Sequence, residues 1–243
     1  MPAPTIVIVP GVWLGPRPYE LLVEEMKKAA PSLTDFVYAP LVSTGNPSPG
    51  NPTMHDDAMG IRETIKPLVE AGKRLVLVGH SAGAFLSGMA TEDLEVGEKL
   101  AAPSGGGVEK FIFIAGGILP VGAPHPELNE MKFFRVEGGE AHCRDPDEVL
   151  FHDTDPAVAE RYKPFLKPQP AEGWTGNCTY CGWEKVPSSY ILTEHDRAIS
   201  PEVQEVCSSI TGSEVIRIPT GHMPMTSHPK MLAEKVISLL KLK

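Results

Sequence analysis

Short aliphatic runs alternate with amphipathic stretches along most of this chain. Residues 5–9, Thr-Ile-Val-Ile-Val, form an unbroken apolar run closed by Pro10-Gly11, the pattern of a strand buried on both faces. Residues 18–30 instead place Leu21, Leu22, Met26 and Ala29 on one helical face. Glu20, Glu24 and Glu25 come early there and Lys27 and Lys28 late, as the helix dipole prefers. Residues 36–39 read as a second strand, 40–52 as a loop rich in Pro, Gly, Ser and Asn, and 55–71 as an amphipathic helix. A further apolar run at 75–78 predicts a buried strand that breaks into Gly79-His80-Ser81-Ala82-Gly83. The small residues that follow (Ala84, Ser87, Gly88, Ala90) suit a helix packed close to a sheet. Residues 101–107 read as a flexible connection into a strand at 110–115. The alternation resumes later with a strand at 190–193, a helix at 201–210, a strand at 215–218 and a helix at 230–242. Strands alternating with helices predict an α/β fold with a doubly wound, mostly parallel sheet.

Between residue 116 and about residue 186 this rhythm fails. Prolines, aromatics and two short helices, at 145–151 and 156–162, fill the interval. A structureless loop of that length is improbable in a compact domain, so an inserted cap or lid is the better reading. The expected organisation is a core of residues 1–116 and 187–243 with a cap at 117–186, one domain overall.

Strand, G-x-S-x-G, helix is the nucleophile-elbow pattern, which lifts a serine hydroxyl above a sheet edge on a strained turn. Glycines at 79 and 83 are required if side chains there meet the neighbouring strand and helix. An ordinary Gly-rich turn is the other reading, so the partners decide. A serine hydroxyl attacks only when an imidazole takes its proton, and the imidazole needs a carboxylate to fix its tautomer. Asp196 lies just beyond the strand at 190–193 and His222 just beyond that at 215–218. Together with Ser81 they stand in the chain order of an α/β-hydrolase triad, Ser then acid then His. Glu194 is still at its strand end, and His80 and His195 adjoin the candidates but point elsewhere. His228 reads as a capping or surface residue. His125, His142 and His152, with Asp145, Asp153 and Asp155, fall in the cap and read as solvated surface. An oxyanion would be held by the Ala82 N–H and by the loop after the first strand. There Gly11 lets the backbone turn towards Ser81, Val12 offers the best N–H, and Trp13 comes next. Trp13 either packs in the core or walls the pocket.

Composition narrows the classes. A net charge of −9 and a pI near 5.4 argue against nucleic acid or an anionic membrane as partner. No apolar run reaches the ~18 residues a membrane span needs. The start of the chain lacks the basic segment of a signal peptide, so a cytoplasmic location is expected. Four cysteines in 243 residues make no disulfide scaffold. Cys178-Thr-Tyr-Cys181 invites redox or zinc readings, but it stands in a Gly/Asn-rich stretch with only His142 and Cys143 as further ligands. Two free, semi-buried cysteines are the expectation, with no metal.

The chain resembles an α/β-hydrolase over nearly its whole length, in the branch of plant methylesterases and hydroxynitrile lyases. The resemblance is carried by Val9-Pro10-Gly11-Val12-Trp13, by Gly79-His80-Ser81-Ala82-Gly83, by the run from Ser189 through Asp196 to Ile199 with Gln204 after it, and by Gly221-His222-Met223-Pro224-Met225. It implies Ser81 as nucleophile, Asp196 as orienting acid, His222 as base, and the backbones of Val12 and Ala82 as oxyanion hole. Trp183 resembles a cap residue facing the pocket. The lyases of this branch carry threonine in the first oxyanion loop and lysine directly after the histidine. Here Gly11 and Met223 occupy those positions, which removes the cation that would stabilise departing cyanide. Substrate contacts are therefore expected from Gly11, Trp13, Trp183 and Met223. The implied activity is a cofactor-independent serine hydrolase of a carboxylic ester or lactone. A lyase, a cyclase or acyl transferase, and a non-catalytic ligand-binding relative are the alternatives. Cap aromatics (Phe133, Phe134, Phe151, Phe165, Trp174, Tyr180, Trp183) suggest an apolar, medium-sized substrate, and a homodimer is left open.

Overall fold

The computed structural model describes residues 3–48, 52–96 and 105–241. Six strands form one parallel sheet: β1 (Thr5–Val9), β2 (Phe36–Tyr38), β3 (Arg74–His80), β4 (Gly107–Ile114), β8 (Ser188–Thr193) and β9 (Glu214–Ile218). Their order is β2-β1-β3-β4-β8-β9. The continuous apolar runs become the inner strands, because a parallel sheet covered on both faces buries every side chain. All five residues of β1 are buried, as are the last six of β3. Register pairs Val9 with Gly79, Gly79 with Phe113, and Phe113 with Tyr190. The carboxyl ends of the central strands are therefore level. From β1 the chain steps one way to β2 and then back past β1 to β3, so the order reverses between β1 and β3. Crevices at such a reversal are where open α/β sheets bind ligands.

Helices α1 (Glu20–Ala29), α2 (Met54–Glu70), α3 (Gly83–Met89), α6 (Pro201–Thr211), α7 (Pro224–Ser227) and α8 (Pro229–Leu240) flank the sheet. Helix α1 packs on α8, and α2 on α3. Thr53 starts α2 with a reciprocal cap: its side chain accepts from the Asp56 amide while the Asp56 carboxylate accepts from the Thr53 amide. Such a box satisfies two donors that the first turn otherwise leaves free. Helix α3 is buried along its whole length, which explains its run of small residues. The flexible connection expected at 101–107 lies largely outside the described residues.

The segment between β4 and β8 carries an antiparallel sheet of β5 (Phe134–Glu137), β6 (Glu140–Cys143) and β7 (Gln169–Pro170), with short helices α4 (Pro146–Val149) and α5 (Pro156–Tyr162). The two helices match the sequence pattern. The small sheet does not show in it, because β5 buries only Phe134 and exposes Arg135, Val136 and Glu137. A buried polar cluster ties this segment to the core. The Asp57 carboxylate accepts from the Ser43 amide (2.8 Å), the Ser43 hydroxyl (2.6 Å) and Trp174 Nε1 (2.7 Å). Gln169 Nε2 donates to Ser43 Oγ at 2.9 Å. Burial nonetheless raises the Asp57 carboxyl above its usual range, as expected where no cation among the described residues offsets it. Cys178 and Cys181 are free and fully buried, deeper than the sequence suggests, with sulfurs 3.8 Å apart. Among the described residues, no helix is long and apolar enough to cross a membrane.

Candidate active site

Ser81 follows β3 with φ of 53°, a left-handed conformation that costs a non-glycine residue energy and persists only where the surroundings enforce it. Three hydrogen bonds enforce it here. The Ser81 amide donates to the Ile114 carbonyl, and the Ser81 carbonyl accepts from Ala84 and Gly117, each at 3.1 Å. A Cβ on Gly83 would lie 2.4 Å from the carbonyl oxygens of Val9 and Pro10, and one on Gly79 would lie 2.7 Å from the Gly83 oxygen. The two glycines let α3 press onto β1 and β3, as the motif requires.

Asp196 and His222 meet at 2.8 Å, Oδ2 to Nδ1, both nearly buried. The other donors around the carboxylate leave it no freedom. Oδ1 accepts from the amides of Ala198 (2.8 Å) and Ile199 (2.9 Å), and Oδ2 accepts from Thr193 Oγ1 (2.9 Å) and Gln204 Nε2 (3.1 Å). Burial by itself would raise the Asp196 pKa, but His222 and the Ile199 and Ala198 amides outweigh it and hold it below the usual range. An ionised Asp196 can only accept, so His222 directs a proton on Nδ1 at it, which in the neutral ring leaves the lone pair on Nε2. Neither His222 Nε2 nor Ser81 Oγ has a hydrogen-bond partner among the described residues.

His80, next to the nucleophile, is not a second base. Its Nε2 lies 2.8 Å from the His222 carbonyl, which can only accept, and its Nδ1 lies 2.9 Å from Tyr19 Oη. Nδ1 therefore accepts the Tyr19 proton, and Tyr19 Oη in turn accepts from the Gly11 amide at 3.3 Å. The chain Gly11, Tyr19, His80, His222 joins the first loop to the backbone of the candidate base. Burial, then the nearby His222, lowers the His80 pKa from 6.5 to about 3. The unfolded chain accepts a proton below pH 6.5 that the folded chain refuses, so His80 lowers stability as pH falls through that window. From about pH 7.5 to about pH 5 this amounts to about 2 kcal/mol. His80→Gln should remove most of that drop in urea unfolding at the two pH values; an equal drop in both proteins excludes the assignment.

The amides of Val12 and Ala82 have no partner among the described residues, and both residues face the same cavity as Ser81. Two free N–H groups beside a serine hydroxyl can donate to a developing oxyanion. A sequence model of the alpha/beta hydrolase family matches residues 6–235. The chain belongs to the alpha/beta hydrolase family. It is 30% identical over 250 residues to the alpha/beta hydrolase nvfD of Aspergillus novofumigatus (strain IBT 16806), covering 96% of this chain and 95% of that one. Its fold is similar to that of an extracellular alpha/beta-hydrolase from a Paenibacillus species, with a TM-score of 0.73 at 18% identity over 97% of this chain and 98% of that one. It is also similar to the methylesterase MES16 from Arabidopsis, with a TM-score of 0.70 at 17% identity over 98% and 99% of the two chains.

In this alpha/beta hydrolase the cavity at Ser81 measures about 650 Å³. Its wall is mostly apolar, with Phe85, Ile118, Leu128, Met131, Phe133 and Phe134 among its residues. Four residues expected to contact substrate line no part of it. Gly11 lies behind the nucleophile, where an added Cβ would come within 2.7 Å of the Ser81 Cβ. Trp13 turns away to donate from Nε1 to the Ala141 carbonyl at 2.8 Å and packs on Phe134. Trp183 wedges against Gly88 and meets Phe113 edge-on at 6.1 Å. Met223 is fully buried at the start of α7. Large apolar side chains mark burial, and sequence alone does not say whether they bury against the pocket or behind it. Of the cap aromatics, Phe133, Phe134 and Trp174 reach the cavity. Glu194 and His195 are exposed, and His142 pairs with Glu140 at 2.9 Å.

Two cap residues read as solvated surface have other places. His125 lines the cavity. Asp153 Oδ2 accepts from the Gly221 amide (2.6 Å) and from Ser227 Oγ (3.0 Å), gripping the loop that carries His222. Neither stands at the end of an apolar run, so no pattern in the sequence marks them.

Proposed function

We propose that this hydrolase cleaves a carboxylic ester or lactone through an acyl-enzyme on Ser81. The observation that carries the proposal is a strained, unpaired Ser81 hydroxyl that shares one cavity with the unpaired amides of Val12 and Ala82, together with an Asp196–His222 pair whose Nε2 is unpartnered and whose His222 backbone is tied through His80 to the elbow. Ser81 Oγ attacks the carbonyl carbon as His222 Nε2 takes its proton. The two amides hold the oxyanion. His222 then gives the proton to the departing alkoxide, and the acyl group stays on Ser81. Water, deprotonated by His222, releases the acid and restores the serine. The apolar wall suits a medium-sized apolar substrate. Similarity to the Arabidopsis methylesterase supports ester chemistry, and the buried Met223 beside His222 supports hydrolysis over a cyanohydrin-cleaving reaction, since it supplies no cation.

A fluorophosphonate probe should form one covalent adduct per chain, on the peptide containing Ser81, by mass spectrometry after digestion. Folded protein that acquires no adduct there overturns the proposal.

A further inference from the structure

The cavity wall holds one imidazole whose tautomer is fixed by a neighbouring carbonyl. His125 is held at three points. Its backbone amide donates to the Gly176 carbonyl at 2.8 Å. Its ring stands 5.4 Å from the Phe85 ring and meets Trp174 nearly at right angles, 5.0 Å between centroids. Its Nδ1 lies 2.7 Å from the Pro126 carbonyl oxygen. A carbonyl oxygen can only accept, so a proton is on Nδ1, which in the neutral ring leaves the lone pair on Nε2. Nε2 has no partner among the described residues, yet it is not one of the polar atoms sealed from solvent. Burial also lowers the His125 pKa, consistent with a neutral ring.

The other polar side chains of the wall differ from this one. Lys132 and Arg197 are exposed, and Arg197 is paired with Glu148. Ser200 is engaged by Glu202. Beside the rotatable hydroxyls of Ser81 and Ser200, this mostly apolar surface thus offers one neutral acceptor fixed in direction. It cannot serve a second carbonyl or a carboxylate, which also only accept, but it fits a hydroxyl. Phe85, against which the ring packs, comes one helical turn after Ser81, so the hydroxyl would sit several bonds from the reacting carbonyl.

We propose that His125 Nε2 is the specificity-determining acceptor of this cavity and that the substrate is a hydroxylated ester or lactone whose hydroxyl donates to it. This rests on the ester-hydrolase reading and goes beyond it by naming a feature of the substrate.

The test compares methyl octanoate with methyl hydroxyoctanoates bearing the hydroxyl at successive carbons from 3 to 7, in the wild type and in His125→Phe. Phenylalanine preserves a ring beside Phe85 and Trp174 but accepts nothing. One hydroxylated ester should exceed methyl octanoate in kcat/KM by about ten-fold, the range of a neutral hydrogen bond, and His125→Phe should bring that ratio to about one. The ratio is the readout, because a purely structural role for His125 would change both rates together. Absence of any preference in the wild type, or a preference that survives in His125→Phe, overturns the proposal. Failure of the esterase reading would show separately, as no turnover of any ester and no fluorophosphonate adduct. In that event calorimetric binding of the same esters to Ser81→Ala decides: the hydroxylated ester must bind about ten-fold more tightly than methyl octanoate, and equal binding overturns the inference. The same comparison serves if His125→Phe does not fold.

Discussion

Ser81→Ala should lower ester turnover by roughly four to six orders of magnitude while leaving the fold intact. Alanine differs from serine by one oxygen and takes the same backbone conformation, so the bonds from Ile114, Ala84 and Gly117 that hold the turn survive. What disappears is the only atom at the elbow able to form the acyl-enzyme. The unpaired amides of Val12 and Ala82 remain, so residual catalysis above the uncatalysed rate is expected from oxyanion binding alone. Steady-state hydrolysis of p-nitrophenyl esters measures the loss, and an unchanged thermal melt shows that it is chemical. Turnover within ten-fold of the wild type would remove Ser81 from the reaction.

Asp196→Asn should lower turnover by about 10⁴-fold for a reason visible in the five donors around the carboxylate. Oδ1 receives two amides, and Oδ2 receives His222, Thr193 and Gln204. Asparagine has one acceptor oxygen. Turned towards the amides of Ala198 and Ile199, it faces its NH₂ at His222, which must then shift its proton to Nε2 and lose the lone pair a base needs. Turned the other way, it sets NH₂ against two backbone donors and disturbs the loop. Hydrolysis rates measured beside proton NMR of the imidazole distinguish these outcomes. A variant that retains more than a tenth of wild-type activity would place the orienting acid elsewhere.

The elements of this hydrolase that sequence reveals are those whose environment is uniform. β1, β3 and β8 are covered on both faces, so their apolar runs are unbroken, and Ser81 and Asp196 are found because each follows such a run; His222 follows the mostly exposed edge strand β9 and is found by its place in the order serine, acid, histidine. The elbow glycines are equally legible, since two backbones meet there and any Cβ would collide. The segment between β4 and β8 obeys a different logic. Its strands are only two to four residues long, too short to leave a periodic trace, and its aromatic residues sort between pocket and interior by contacts across long sequence separations. Trp13 is the plainest case: its position behind the pocket depends on a bond to Ala141. His125 is another, because its proton is placed by Pro126 and its ring by Phe85 and Trp174. Tyr19 falls in the first helical stretch with nothing in the sequence to single it out, and only the fold brings its hydroxyl between Gly11 and His80.

Strands β4 and β8 are neighbours in the sheet, paired from Phe111 with Ser188 to Ile114 with Ile191, although roughly 70 residues separate them along the chain. Chain-closure entropy grows only with the logarithm of the intervening length. Extending a connection from about ten residues to about seventy costs about 2 kcal/mol before any packing of the insert offsets it. The segment that carries Phe133, His125 and Trp174 can therefore lengthen, shorten or be replaced at small thermodynamic cost while Ser81, Asp196 and His222 keep their places at the ends of other strands. Evolution can exchange the wall of the cavity without renegotiating the chemistry beneath it.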